Sequence, residues 1–202
     1  SFDEDEIATT ILKSLDISQD SYQQNQATTI SPKMGAELVG SAALSLGVAI
    51  ILILIYITIR FNSFFALSSI LALIHDVSIT IGIFILFNLE ISLPIIAAFL
   101  TILGYSLNDT IVVFDRIREN LKLSKKNEDI FSITNKSVNQ TLSRTILTSL
   151  TTLIVLIILY FIGSYLIKLF TFALIIGVMI GTYSSIFIAG FSFTILYNKY
   201  SH

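Results

Sequence analysis

Five long stretches of the chain carry almost no charge, and polar breaks separate them. They fall at about 34–59, 64–87, 93–114, 145–162 and 169–196. A helix needs roughly 20 apolar residues to cross a bilayer, so each stretch predicts a membrane-spanning helix. Pro32 marks the start of the first. Arg60-Phe61-Asn62-Ser63 predicts a tight turn, and Asn88–Ser92 and Gly163–Lys168 predict short loops. Residues 115–143 form a polar connector in which Ile117, Leu121, Phe131, Ile133 and Val138 recur among charges. That spacing predicts one or two amphipathic surface helices.

The first 33 residues have a different pattern. Four acids, Asp3 to Glu6, precede Ile7, Ile11, Leu12 and Leu15, which predicts a short amphipathic helix. The Thr- and Gln-rich run 19–30 is expected as a strand. This is too little chain to bury a core of its own, so 1–33 is expected to be the tail of a larger extramembrane domain. Residues 34–202 are the membrane domain.

Composition sharpens the membrane reading. The 202 residues are 54% hydrophobic but only 13% charged, and mean hydropathy is +0.83. A soluble domain has about a quarter of its residues charged. A net charge of −2 gives no basis for a nucleic-acid partner. No cysteine is present, which excludes disulfides and zinc thiolate sites. With two histidines and no cysteine, no metal and no cofactor is expected. No nucleotide-binding loop, catalytic triad or paired acid–base signature occurs, so an enzyme is not expected. The chain opens on Ser1 with no visible signal peptide and is read as a piece of something longer.

Seven of the twelve basic residues lie between Asp115 and Arg144. Lys and Arg accumulate on the cytoplasmic side, so the connector, Arg60 and Lys199 are expected there. The 88–92 and 163–168 loops then lie outside, with Lys168 as the exception, and the N-terminal segment is also outside. Five spans with an external N-terminus imply a further span upstream if the whole protein starts in the cytoplasm.

Charge inside the apolar runs points to function. Asp109 stands before the third run has ended, with Ile111 to Phe114 still to come. An ionised carboxylate there costs several kcal/mol unless paired, hydrated or protonated, which makes it a functional candidate. Tyr105 and Thr101 lie four and eight residues before it, on one helix face. In the fourth run Arg144, Thr148 and Thr151 or Thr152 recur at the same interval. Polar stripes in a bilayer face each other or a watery cavity, so Asp109 and Arg144 are expected to pair. A nearby cation holds a carboxylate ionised and desolvation neutralises it, so small helix movements would tip the balance. Asp109 would then carry a proton, with Arg144 tuning it. The alternative is a static ion pair or hydrogen-bond knot.

Asp76 lies mid-span in the second run and is either a second relay carboxylate or a structurally satisfied one. His75 is adjacent, and adjacent helix positions face different ways. Glu37 sits one turn into the first span, as a gate contact or as an acid at a helix N-terminus. Small residues from Gly35 to Gly47 predict close packing of the first helix. Gly177 and Gly181 form a GxxxG in the fifth run, continued by Ser185 and Ala189, which predicts a helix-packing groove within the bundle or a dimer face.

The run Gly104-Tyr105-Ser106-Leu107-Asn108-Asp109-Thr110, leading into Phe114-Asp115-Arg116-Ile117-Arg118-Glu119-Asn120, resembles the signature of the SecF family of protein-export membrane proteins. Further blocks agree in order and spacing: Gly35-Ala36-Glu37-Leu38, Arg60-Phe61, His75-Asp76, Thr141 to Thr152, and Gly181 to Ala189. Ser31-Pro32 departs from it, since family members more often have Gly before the Pro.

The resemblance implies an all-α membrane bundle like spans two to six of SecF, preceded by the tail of an extracytoplasmic α/β domain. It implies a fold like that of the resistance-nodulation-division exporters. It also implies a role beside SecD in using the proton motive force to pull preproteins from the SecYEG translocon after SecA has driven them. Asp109, Asn108 and Arg144 match the family's proton-transfer motifs. The expected location is the bacterial inner membrane, in contact with membrane lipid, with a cytoplasmic C-terminus. Two other readings stand beside this one: a proton-coupled small-molecule exporter of the same superfamily, and a translocon scaffold that moves nothing.

Overall fold

The structure, a computed structural model, describes residues 32–124 and 128–200. The short helix and the strand expected before Pro32 lie outside the described residues. The chain divides into Ser1–Ala36 and Glu37–His202, and the architecture below is that of the second unit.

The helices are α1 (Pro32–Arg60), α2 (Ser63–Leu86), α3 (Leu93–Leu123), α4 (Ile130–Ile162), α5 (Tyr165–Ser184) and α6 (Gly190–Tyr200). A single π turn, Ser185–Ala189, joins α5 to α6, so the last two form one rod from Tyr165 to Tyr200. Among the described residues, five rods are long and apolar enough to cross a membrane, and no strand occurs. The described residues form the all-α bundle of a multi-pass membrane protein.

Local chemistry explains the breaks. Asn62 is extended and caps α2, its side chain accepting from the Phe64 amide at 2.8 Å. Asn88 follows α2 at a φ of 50°, the left-handed conformation that Asn tolerates. There the Leu89 amide turns back to the Phe84 carbonyl at 2.9 Å. Pro94 sits in the first turn of α3, where no amide partner is needed. The stretch expected as surface helices differs from that expectation. Instead α3 runs on to Leu123 and α4 begins at Ile130. Ile117 and Ile133 continue the buried faces of the two rods, at 0% and 2% exposed, whereas Phe131 is exposed.

The closest packing is among α3, α4 and α5, with α2 against α3 and α5. α1 stands at the edge, and among its described side chains only Ile57 is fully buried. Gly40 and Gly47 have nothing within 4 Å of where a side chain would begin. These two glycines of α1 are therefore not used for close packing against the described helices.

Two apolar clusters fill the bundle. One holds Phe84, Phe99, Ile102, Leu174 and Val178. The other, at the connector end, holds Ile57, Phe65, Phe114, Ile117 and Phe193, with Phe65 stacked on Phe193 at 4.2 Å between centroids. The residues between the clusters on each rod are polar and buried. They are Asp76 and Thr80 on α2, Ser106, Asp109 and Thr110 on α3, Thr145 and Ser149 on α4, and Ser184 and Ser185 on the last rod. A polar layer thus crosses the bundle between two greasy ones.

Candidate functional site

Helix α3 organises the polar layer because it touches α2, α4 and α5 together. Its approach to α5 is made by glycine. A Cβ at Gly177 would overlap the Ile102 side chain, and one at Gly181 would stand 3.0 Å from Ser106 Cβ. Both glycines of the GxxxG therefore face α3 within this chain.

Along α4 the contact with α3 is polar for most of its length. Tyr105 donates to Thr152 at 3.2 Å. Ser149 donates to Asp109 Oδ2 at 3.4 Å. Toward the connector, Arg116 Nε donates to Gln140 at 2.6 Å and Asn120 donates to Ser137 at 2.8 Å. The two antiparallel rods are joined by these rungs like a ladder. Thr145, one turn from Ser149, is buried between the rungs, and its hydroxyl has no partner among the described residues. The Thr110 hydroxyl, beside Asp109, has none either.

Asp109 is 2% exposed. Its Ser149 contact is long, and Ser149 Oγ also lies 2.6 Å from Thr182 Oγ1 on α5. A side-chain hydrogen bond inside a membrane bundle is worth on average about 0.6 kcal/mol. An ionised carboxylate within the apolar part of a membrane costs several times that, so this contact does not offset its burial.

Arg144 does not pair with Asp109. No acid lies within ion-pair distance of it among the described residues, and it is exposed. The α4 positions that meet α3 are Thr145, Ser149 and Thr152, one register away from the Arg144–Thr148 line. Asn108 is exposed too, since it lies a quarter-turn or more from the Asp109 face. Thr101 is exposed and bonds back to the Ala97 carbonyl. Glu37 is exposed on α1.

Asp76 is fully buried and fully engaged. Ser106 donates to its Oδ2 at 2.5 Å, and His75 Nδ1 lies 3.0 Å from its Oδ1. Adjacent helix positions do meet here, against expectation, because the imidazole is long enough to swing back onto its neighbour. The Ser–Asp–His order is wrong for nucleophilic catalysis, which needs the serine bonded to the imidazole. Among the described residues no group of three or more His, Cys, Asp or Glu could hold a metal ion.

Ser106, Thr145, Ser149 and Thr182 were not singled out from sequence. One signal was available: Thr141, Thr145, Ser149 and Thr152 keep a helical interval of their own beside the Arg144 line.

Comparison with known proteins agrees with this architecture. The family model described as "Protein export membrane protein SecD/SecF, C-terminal" matches residues 10–199. A protein translocase subunit SecF of Desulfurispirillum indicum is 52% identical over 163 residues, covering 80% of this chain and 52% of its own length. That of Cereibacter sphaeroides is 51% identical over 161 residues, covering 80% of this chain and 49% of its own. The chain thus spans about half the length of the curated relatives it matches. The crystal structure of SecDF from Thermus thermophilus, described as a translocon-associated membrane protein, superimposes with a TM-score of 0.82 at 41% identity. It covers 98% of this chain and 27% of that one.

Proposed function

This chain belongs to the SecD/SecF family of protein-export membrane proteins, and on that premise we propose that it is the membrane part of an auxiliary subunit of the Sec export machinery. It uses the proton motive force, with a SecD-like partner, to complete preprotein translocation at the SecYEG translocon. The family relationship supports the export role. The single observation that supports proton coupling is Asp109 itself: a buried carboxyl held by one 3.4 Å contact, among hydroxyls of which two have no partner among the described residues. A carboxyl so weakly held is free to change protonation and partners.

In this reading Asp109 takes and releases the proton. Ser149 and Thr182 hand it along the hydroxyl layer, and Arg144 tunes the carboxyl when the helices shift. The partner's place follows from solvent physics. Thr101, Gly104 and Asn108 form an exposed line on α3, and Arg144 and Thr151 are exposed on α4. Both lines flank the α3–α4 contact on the side away from α5. Polar groups on the outside of a membrane bundle call for protein or water, not lipid. The SecD-like partner, whose existence the single-chain SecDF relatives support, covers this face in our reading. The basic connector lies in the bacterial cytoplasm, residues 1–33 lie outside, and the membrane is the inner one.

The test is export in reconstituted membranes, using the full-length protein with its partner and Asp109→Asn. Loss of the proton-dependent part of export, with normal assembly, supports the motor. A scaffold would tolerate the change, so unchanged export would overturn the proton-coupled reading.

A further inference from the structure

The route proposed above does not use Asp76, the more completely satisfied of the two buried carboxyls. Its Oδ2 accepts from Ser106 at 2.5 Å, and that serine is the α3 residue against which Gly181 packs. On α5 the next residue is Thr182, whose hydroxyl lies 2.6 Å from Ser149, the donor to Asp109. One turn from Asp76 on α2, the Ala72 carbonyl accepts from Ser184 at 3.3 Å. Thus α2 is bonded to α3 at Ser106 and to α5 at Ser184, on either side of the spot where Gly181 lets α3 and α5 touch. The gap at Gly181 has no slack, because even a methyl group would crowd Ser106. A shift of Ser106 must therefore move the α5 backbone that carries Thr182.

We propose that Asp76 is a positioning residue for Asp109: by holding Ser106 against Gly181 it sets where the Thr182–Ser149 hydroxyl pair stands relative to the Asp109 carboxyl. This rests on the reading of Asp109 as the proton carrier only for its consequence in export, not for the coupling itself. The titratable and charged groups on the rods packed around the layer are His75 on α2, Tyr105 and Asp109 on α3, Arg144 on α4 and the exposed Tyr183 on α5. None of them bridges Asp76 to Asp109 directly. The path is the chain Asp76–Ser106–Gly181–Thr182–Ser149–Asp109, and its links are three hydrogen bonds, the close Ser106–Gly181 contact and the peptide bond from Gly181 to Thr182.

The experiment uses the full-length protein with its partner in vesicles. A hydrophobic carbodiimide modifies protonated buried carboxyls, and mass spectrometry reads the fraction of Asp109 modified as a function of pH. Wild type is compared with Asp76→Asn and Ser106→Ala. The second variant changes no charge and removes only the bond through which Asp76 acts. The expected result is a midpoint displaced by about half a pH unit or more in both variants, a threefold change in proton affinity. The pH profile of proton-dependent export should be displaced with it. An unmoved midpoint in Ser106→Ala overturns the proposal, even if Asp76→Asn shifts it, because the effect would then be through-space charge. If Asp76→Asn fails to assemble, Ser106→Ala alone decides. If both midpoints move while export ignores Asp109→Asn, the positioning role stands and the carrier reading fails.

Discussion

Two carboxyls share one polar layer, Asp76 on α2 against α3 and Asp109 on α3 against α4, but their surroundings differ in kind. Asp76 has a partner on each oxygen, at 2.5 and 3.0 Å, and is sealed from outside. Asp109 has one donor at 3.4 Å, and that donor is shared with Thr182. Burial alone therefore does not mark the working acid, since both are buried. What separates them is how much of the burial is offset by local bonds. A satisfied acid holds helices together, and an unsatisfied one must find its compensation in a proton, a water or a moving cation.

The largest expected effect follows directly. Asp76→Ala strands the Ser106 hydroxyl and opens a cavity between α2 and α3, and it should destabilise the bundle by about 2–4 kcal/mol. Asp109→Ala should cost about 1 kcal/mol or less, because little holds that side chain. Unfolding in mixed detergent micelles compares them, and equal losses would erase the distinction drawn above.

Next come the glycines that keep the two sites at one depth. Gly177→Ala drives a methyl into Ile102 and should cost about 1–3 kcal/mol. Gly181→Ala, which meets Ser106 at 3.0 Å, should cost less stability. Gly104→Ala and Gly82→Ala, with nothing within 4 Å, should leave the folding of this chain unchanged. Thermal unfolding of the four variants checks the order.

A smaller effect is expected at the hydroxyl pair. Ser149→Ala removes the one donor to the Asp109 carboxyl among the described residues and should change stability by less than about 1 kcal/mol while displacing the pH profile of export. A Ser149→Ala profile identical to wild type would remove the hydroxyl layer from the proton route. The smallest effect belongs to the connector end, where Asp115 lies 3.2 Å from Arg118 and 4.0 Å from Arg60, all three at least a third exposed. Asp115→Asn should cost at most about 0.5 kcal/mol, as exposed pairs do. A large loss there would mean that the connector end, not the polar layer, holds the helices in register.

The sequence made some of this legible and hid the rest for physical reasons. The five rods follow from the length of uncharged runs, and Asp109 and Asp76 stand out because acids in such runs are rare. The partners of Asp109 were hidden because hydroxyl residues are common in apolar helices and usually bond to their own backbone. Thr148 and Thr151 do so, to the carbonyls of Arg144 and Leu147. Which hydroxyls face α3 depends on the rotation of α4 about its axis, and a one-residue change swaps the Arg144 line for the Ser149 line. The exposure of Arg144 and Asn108 likewise depends on what lies against the outer face, which no spacing within this chain encodes. His75 reached Asp76 through side-chain length, which periodicity does not count.

The most direct measurement is proton movement itself. Vesicles holding the full-length protein and its partner, with a pH-sensitive dye inside, would be given an inward proton gradient. Wild type should pass protons while preprotein is being exported, and Asp109→Asn should reduce that flux to the level of empty vesicles with the complex still assembled. Flux in Asp109→Asn equal to wild type would contradict the assignment of Asp109 as the carrier, and would leave it a carboxyl that only holds helices in place.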